Sequence, residues 1–336
     1  MRILVTGGAG FIGSNFVRRM LSGEYPGLGV REVVVLDKLT YAGNLSSLAP
    51  AMDDPRFEFV HGDVCDRELV ERVSRDARIV VHCAAETHVD RSIADGTDFV
   101  GSNVVGTYTV LGAALATGVE KVVLVSTDEV YGSVSSGSST EREKLEPNSP
   151  YAASKAASDH FARAFHQTYG LPVCVTRCSN NYGPYQFPEK LIPLFITRLM
   201  DGLPVPVYGD GRYVREWVHV DDHCRGIALV AERGAPGEVY NIGGDTEMSN
   251  LRMTETILSA LGADWSSVEF VEDRKGHDRR YSLDSSKITG ELGYRPRLSF
   301  EEGLAGTIRW YAQNRSWWEP LRKRVDLDIL GEPARE

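Results

Sequence analysis

Two short stretches hold residue types that can do acid–base chemistry. Thr127, Asp128 and Glu129 stand together in STDEVYG (126–132), directly after the apolar run 121–125. Tyr151 and Lys155 stand at i and i+4 in PYAASKAASDHF (150–161). On a helix that spacing puts a phenol and an ammonium on one face. The ammonium favours the phenolate, so Tyr151 can take a proton from a hydroxyl whose carbon gives up a hydride. Two adjacent carboxylates repel, one then keeps its proton near neutral pH, and the pair can serve as acid and base. Neighbouring side chains on a strand face opposite ways, so the chain must leave strand geometry by residue 128 for both acids to share a site. The plainer alternative is two solvated acids at a strand end.

Hydride chemistry needs a dinucleotide, and GGAGFIG (7–13) has the loop for one. Gly8, Gly10 and Gly13 satisfy G-x-G-x-x-G, and Gly7, Gly10 and Gly13 the related G-x-x-G-x-x-G. Glycines there permit a tight turn, a close approach of pyrophosphate to backbone, and close packing of helix on strand. Asp37 ends the next apolar run, 24 positions after Gly13. An acid at that place accepts hydrogen bonds from ribose hydroxyls and repels a 2′-phosphate, which favours NAD over NADP; Lys38 beside it is the opposing charge. Asp63 in HGDV is either an adenine contact or a helix cap. Ala84 and Ala85, in HCAAETHVD (82–90), let backbone approach a dinucleotide closely.

These residues need a scaffold to position them. Short β-branched runs at 2–6, 32–37, 57–63, 78–85, 121–127, 171–177 and 238–244 alternate with amphipathic stretches at 13–22, 66–75, 103–117 and 151–169. The alternation predicts an α/β fold, a doubly wound parallel sheet of Rossmann type, over residues 1–177, with 238–244 returning to the sheet. Past 177 the chain is rich in Pro, Gly and charge, with helical patterns near 188–201, 221–233, 249–261 and 299–314. These predict a smaller, mostly C-terminal substrate-binding lobe over 178–325, set at the carboxyl edge of the sheet. Residues 326–336 read as a solvated tail and the Ser-rich stretch 133–139 as a mobile loop.

The chain has 336 residues, 42% hydrophobic and 25% charged, an ordinary globular composition. No apolar run approaches the ~18–20 residues of a membrane span, and the first residues read as a strand, not a leader. A formal net charge of −10 argues against nucleic acid or anionic membrane as a partner. Five scattered cysteines without a C-x-x-C pair fit reduced thiols in the cytoplasm better than a disulfide framework or a zinc site. His88 has no second ligand at metal spacing, HVDDH (219–223) is the only other candidate, and no metal is expected.

The glycine loop, Asp37, Thr127, Tyr151 and Lys155 together resemble an extended short-chain dehydrogenase/reductase. More specifically, STDEVYG, AAETHVDRS (84–92), SNNYGPYQFPEKLIP (179–193), YGDGRYVREWVHVDDH (208–223) and DRKGHDRRYSLD (273–284) resemble dTDP-glucose 4,6-dehydratases, in a match running from residue 1 to about 320. The resemblance implies a tightly held NAD, a dTDP-glucose substrate, and a homodimer formed through 103–117 and 151–169. It implies oxidation at C4 with Tyr151 as base, loss of water across C5–C6 with Glu129 as base and Asp128 as acid, and hydride return to C6. Thr127 and Tyr151 would hold the C4 oxygen.

The cofactor contacts that go with this reading are Gly7, Gly10, Phe11, Ile12, Gly13, Asp37, Lys38, Leu39, Thr40, Asp63, Val64, Ala84, Ala85, Thr87, Ser102, Tyr151, Lys155 and Asn181. On the substrate side, Arg215 and Arg274 offer forked donors to a diphosphate, although an arginine taken singly is more often a surface ion-pair residue. The resemblance adds Thr87, Thr127, Asn180, Lys190 and Leu191, assigns Asn250 and His277 to the nucleotide, and makes Pro206, Val207 and Tyr208 walls for the thymine. The competing readings are an NAD-dependent 4-epimerase, which needs no elimination base, a dehydratase acting on a UDP or GDP sugar, and a non-catalytic dinucleotide sensor.

Overall fold

Strands that are apolar on both faces must be covered on both, which a parallel sheet between two helix layers achieves. The computed structural model describes residues 1–330. In chain order the strands are β1 (Arg2–Thr6), β2 (Glu32–Asp37), β3 (Phe57–His61), β4 (Ala77–His82), β5 (Lys121–Thr127), β6 (Val173–Cys178), β7 (Asn180–Tyr182), β8 (Val205–Tyr208), β9 (Val214–His219), β10 (Val239–Ile242), β11 (Thr246–Ser249) and β12 (Val268–Val271). Seven of them form the main sheet in the order β10-β6-β5-β4-β1-β2-β3, and every pair in it is parallel. The chain builds outward from β1 to β3 and then returns to β4 on the other side of β1. The reversal leaves a crevice at the carboxyl ends of β1 and β4, where doubly wound sheets bind ligands.

One face of the sheet is covered by helices Phe11–Leu21, Val220–Arg233 and Ser286–Leu292, whose Phe16, Val17, Ile227 and Ile288 are fully buried with Val33, Val35 and Val123. The other face carries Arg67–Ser74, Gly106–Thr117 and Pro150–Tyr169, contributing Val70, Val110, Leu111 and Ala162. Pro150–Tyr169 starts sharply: Ser149 accepts the Ala152 N–H, Pro150 fills the first helical turn, and Gly170 closes the end at φ 70°. Tyr151 and Lys155 thus sit in its first two turns.

The expectation of no span-length apolar run needs correcting. Thr97–Thr117 is one continuous helix of 21 residues, long and apolar enough by composition to cross a membrane. The polar residues Ser102, Asn103 and Thr107 had masked its start, and a π-helical segment, Val100–Val105, joins its two parts. Its inner face packs in the second helix layer, while Val100, Val105, Tyr108 and Leu115 are exposed.

The later part of the chain is more interleaved than a cut at 177 implies. Helices Val220–Arg233 and Ser286–Leu292 and strand β10 belong to the main sheet's core. A second core gathers Tyr182, Phe195, Val207, Trp217, Ile257, Leu304, Tyr311 and Trp318. It contains two small sheets, β11-β9-β7 and β12-β8, that periodicity did not reveal because strands of three to six residues carry too few alternations. Two further expectations fail. The 133–139 stretch is pinned, with Val134 N–H donating to Arg280 O (3.0 Å) and Ser139 N–H to Ser282 O (2.9 Å). Helix Arg315–Leu330 extends through 326–330, the first part of the expected tail, and the rest of that tail lies outside the described residues.

A fragment of residues 1–177 should therefore fail to fold cooperatively. It would lack β10 and uncover the face on which Ile227, fully buried, packs. Thermal unfolding of the purified fragment should show no sharp transition; a cooperative one would contradict this division of the core.

Candidate active site

β5 delivers Thr127 at its carboxyl end, and there the strand stops. Asp128–Tyr131 forms a single 3₁₀ turn in which Thr127 Oγ1 accepts the Glu129 N–H (3.3 Å) and donates to Asp128 Oδ1 (3.2 Å). Gly132 ends the turn at φ 76°, where a Cβ would lie 2.4 Å from Glu146 O. The turn breaks strand alternation, so both acids act on one place: each bears electrostatically on the Tyr151 hydroxyl.

The two acids are not equivalent. Asp128 is 3% exposed and its Oδ2 has no hydrogen-bond partner among the described residues. Burial, then the Glu129 and Glu216 carboxylates, push it well above the ordinary carboxylate range. Burial also raises Glu129, but Arg215, Lys190 and Arg274 pull it back. Asp128 is thus the member that keeps a proton and Glu129 the one that gives it up more readily, the division that acid and base roles require.

Tyr151 and Lys155 do lie on one helix face at this site, but the expected lowering of the phenol's pKa is not found. Burial pushes Tyr151 well above its usual value and Glu129 adds to this, with hydrogen bonding to Thr127 opposing. The Lys155 ammonium donates instead to Val125 O (2.7 Å), and burial lowers its own pKa. The phenol's own burial, with Glu129 adding to it, outweighs one ammonium whose bond goes elsewhere.

The glycine loop fits a dinucleotide. A Cβ on Gly7 (φ 66°) would lie 2.5 Å from Ala84 N, and one on Gly13 would lie 2.3 Å from Gly7 O, so β1, β4 and the helix start meet at backbone distance. Gly10 caps helix Phe11–Leu21 without a side chain, which leaves the first N–H groups, at Phe11 and Ile12, facing outward for an anion. Asp37 is nearly buried and accepts N–H groups from Ala9 and Leu39, each at 2.8 Å, and Leu39 takes a left-handed φ of 56°. Lys38 does not oppose Asp37: its Nζ pairs with Asp63 Oδ2 at 2.8 Å. Asp63 also accepts the Cys65 N–H (2.9 Å), and the helix cap proper is Asp66. Thr40 hydrogen-bonds Glu86. Val64 packs against Gly106, Ser102 sits in the π-helical segment, and Ala85 follows Ala84 off β4. The Asn181 amide is committed to Ser179 O and His223, leaving it little capacity for another partner.

On the opposite side several buried polar atoms lack partners among the described residues, including Asn180 Oδ1, Asn250 Oδ1 and Arg274 Nε. Buried polar groups are normally bonded, so such atoms mark where a ligand completes them. Arg215, 8% exposed, lies over the Tyr281 ring at 4.4 Å. Arg274 pairs with Asp90 (2.8 Å) and lies over the Tyr208 ring at 5.1 Å. Lys190 donates to Thr87 O (3.0 Å) and precedes Leu191, which opens a helix. His277 stacks on Tyr213 at 3.6 Å and bonds Asp273. Pro206 and Tyr208 share one side of β8, but Val207 faces the lobe's core, as strand alternation demands, and its side chain is no wall for a base. His88 and His219 serve as helix caps.

Three site residues escaped the sequence reading. Glu189, its side chain 4% exposed, accepts from Tyr41 (3.1 Å) and lies within 4 Å of Lys190, His88 and Arg91. Tyr281 stands beside Glu129 and Arg215. Glu216 accepts the N–H groups of Gly244, Asp245 and Leu283 while bearing on Asp128. All three lie inside strings already singled out, FPEKLIP, DRRYSLD and REWVH, which was the only available signal.

Parallel sheet, glycine cradle and Tyr–Lys helix define an extended short-chain dehydrogenase/reductase. A family model described as GDP-mannose 4,6 dehydratase matches residues 4–307. A dTDP-glucose 4,6-dehydratase from an Actinoplanes species is 61% identical over 95% of this chain and 100% of its own. The crystal structure of DesIV, a dTDP-glucose 4,6-dehydratase from Streptomyces venezuelae with NAD and TYD bound, matches with a TM-score of 0.95 and 64% identity, covering 96% of this chain and 100% of that one. The UDP-glucose 4-epimerase of Thermotoga maritima matches with a TM-score of 0.86 but only 32% identity, over 94% of this chain and 100% of its own. The chain belongs to the dTDP-glucose 4,6-dehydratase family.

The buried proton on Asp128 has a stability cost that can be measured. An acid whose pKa is higher folded than unfolded loses stability as pH rises above the unfolded value toward the folded one. Asp128→Asn removes that loss, so its melting temperature should exceed the parent's by about 2 °C or more near pH 8, with the gap closing toward about pH 5. A variant less stable by the same margin at both pH values would contradict a raised Asp128.

Proposed function

We propose that this chain dehydrates dTDP-glucose to dTDP-4-keto-6-deoxyglucose, acting as a cytoplasmic homodimer with NAD retained through each turnover. The observation that carries the reading is the acid pair Asp128–Glu129 on one turn beside Tyr151, in a chain 61% identical to a dTDP-glucose 4,6-dehydratase and only 32% identical to a 4-epimerase. A 4-epimerase has no use for an acid and a base at C5–C6.

Residues 1–177 hold the cofactor and 178–325 the nucleotide sugar. The Gly7–Gly13 loop and the N–H groups behind Gly10 take the pyrophosphate, and Asp37 takes the adenosine ribose. NAD supplies a cationic ring that accepts the C4 hydrogen as hydride and later returns it to C6. Positive charge there, added to the Lys155 ammonium, offsets the burial that holds the Tyr151 phenol protonated. Tyr151 takes the proton of the C4 hydroxyl, with Thr127 bonded to the same oxygen. The new C4 carbonyl acidifies C5–H, and Glu129 takes that proton. The C6–O bond then breaks, the hydroxyl leaving as water with the proton held on Asp128. After hydride reaches C6, C5 recovers a proton from Glu129, and the proton gained at Tyr151 replaces the one Asp128 gave up, so the net change is loss of one water. Arg215, Arg274 and Lys190 neutralise the diphosphate and keep Glu129 ionised until the C5 proton arrives.

The homodimer rests on the exposed Val100, Val105, Tyr108, Leu115 and Tyr169 along helices Thr97–Thr117 and Pro150–Tyr169. Apolar side chains grouped on two neighbouring helices favour a self-complementary contact.

The Lys38–Asp63 pair should help to exclude NADP by keeping Lys38 from a 2′-phosphate. Titration of the apoprotein should show strong preference for NAD, and Asp63→Asn should narrow the NAD/NADP affinity ratio about tenfold, roughly one charge-assisted contact. Comparable affinities in the parent would overturn the role given to Asp37.

Glu129→Gln keeps side-chain size and removes only the base for C5. Mixed with dTDP-glucose in a single turnover, it should oxidise C4 and stop, with reduced nicotinamide accumulating on the enzyme. Quenching should release a 4-keto sugar that still bears its C6 hydroxyl. Normal product, or solvent deuterium entering C5 at the parent's rate, would mean that another group is the elimination base.

A further inference from the structure

Arg177 lies outside the reacting groups, yet it is 5% exposed at the end of β6 with its charge fully inside the fold. Its Nε donates to Asp159 Oδ2 and its Nη1 to the Tyr131 hydroxyl, both at 2.8 Å. Its guanidinium also lies 4.8 Å from the centre of the Tyr131 ring. The Tyr131 hydroxyl donates onward to Asn241 Oδ1 on β10 at 2.8 Å. Asn241 in turn donates to Ser139 O and, through its backbone, to Glu141, each at 2.9 Å. A buried ion pair costs more desolvation than an apolar pair of similar volume, so stability alone is a poor reason for this one.

What the chain of bonds connects gives a better reason. Tyr131 is the last residue of the turn that carries Asp128 and Glu129. Asp159 stands one helical turn beyond Lys155, on the same face of the helix that carries Tyr151. We propose that Arg177 is a positioning residue for the dehydration, a buried strut that sets the Asp128–Glu129 turn against the Tyr151–Lys155 helix. The proposal rests on the dehydratase reading above. One arm of the strut, through Tyr131, places the acids that act at C5 and C6. The other, through Asp159, places an anion beside the lysine that supports oxidation at C4.

The second arm also carries charge. Burial opposes the Lys155 ammonium, and Asp159 is the foremost group that favours it. Around that ammonium stand His82 from β4 and Cys83 just past it, Cys178 from β6, the Val125 carbonyl from β5, and Tyr151 and Asp159 from its own helix. Asp159 is the only carboxyl in this set, and Asp159 Oδ1 has no hydrogen-bond partner of its own among the described residues. Arg177, which faces Asp159 and Tyr131, holds that carboxylate in place.

The two arms predict opposite partitions of one reaction. Tyr131→Phe keeps the ring and the Arg177–Asp159 pair but releases the turn. Oxidation at C4 should stay within about threefold of the parent, while elimination slows about tenfold to a hundredfold, the scale of a small misplacement of reacting groups. In single turnover with dTDP-glucose, reduced nicotinamide should then accumulate and solvent deuterium should enter C5 slowly. Asp159→Asn should instead slow oxidation, with no accumulation, and move the alkaline limb of its pH profile to lower pH as Lys155 loses its charge earlier. Should Tyr131→Phe fail to fold, Arg177→Lys, which keeps a cation beside Asp159 without the fork that also reaches Tyr131, should give the same partition. Equal slowing of both steps in both variants, or no change in either, would reduce Arg177 to packing and overturn the proposal. The parent protein runs alongside: if it forms neither reduced nicotinamide nor 4-keto product from dTDP-glucose, the dehydratase reading itself fails, a result distinct from any pattern among the variants.

Discussion

Two neighbouring residues on a strand cannot both face one site, and this chain needs Asp128 and Glu129 to do so. The 3₁₀ turn at the end of β5 resolves the conflict, and much else follows from it. Glycine is required at 132 because the chain must leave the turn at positive φ against the Glu146 carbonyl. Thr127 is held by the turn's own hydrogen bonds where it can also meet the Tyr151 hydroxyl. Bringing two carboxyls together separates their proton affinities, with Asp128 the more buried and Glu129 the one on which three cations bear. The chemistry of elimination is thus a consequence of where a strand ends.

The two halves of the molecule bring opposite contributions to that turn. The parallel sheet supplies backbone: a glycine crevice between β1 and β4, tight enough that a single Cβ at Gly7 or Gly13 would fill it. The second core supplies charge and unfinished hydrogen bonds, with Arg215, Arg274 and Lys190 gathered within electrostatic reach of Glu129. In a chain of net charge −10 this local basic cluster is what can draw a diphosphate. In the proposed reaction nucleotide binding and proton transfer are therefore coupled, since the cations assigned to the phosphates also bear on Glu129.

Much of the scaffold was legible because it depends on local pattern. Runs such as EVVVLD and KVVLVST are apolar on both faces, and β2 and β5 fall on them residue for residue. The placing of Tyr151 and Lys155 together was legible for the same reason, their spacing being that of a helix face. What could not be read depends on contacts between distant segments. Spacing alone cannot say which way Val207 faces; its place in the second core with Ile257 turns it inward. Arg177 read as the end of a strand and Asp159 as a polar residue on a helix, and only the fold brings them to 2.8 Å. Helix spacing says where Lys155 sits but nothing about how deeply the phenol itself is buried, which is the main reason its pKa is raised, with Glu129 adding to it.

In the proposed reaction the acid pair holds one proton, on Asp128, before substrate binds. Infrared spectroscopy of protein labelled with ¹³C-aspartate reads this directly, as the difference between the parent and Asp128→Asn at about pH 7.5, well above the ordinary aspartate pKa. The expected result is a protonated-carboxyl band present in the parent and absent from the variant, persisting until the pH is raised far above the usual carboxylate range. A difference spectrum showing only an ionised carboxylate lost from Asp128 would contradict the assignment of Asp128 as the acid.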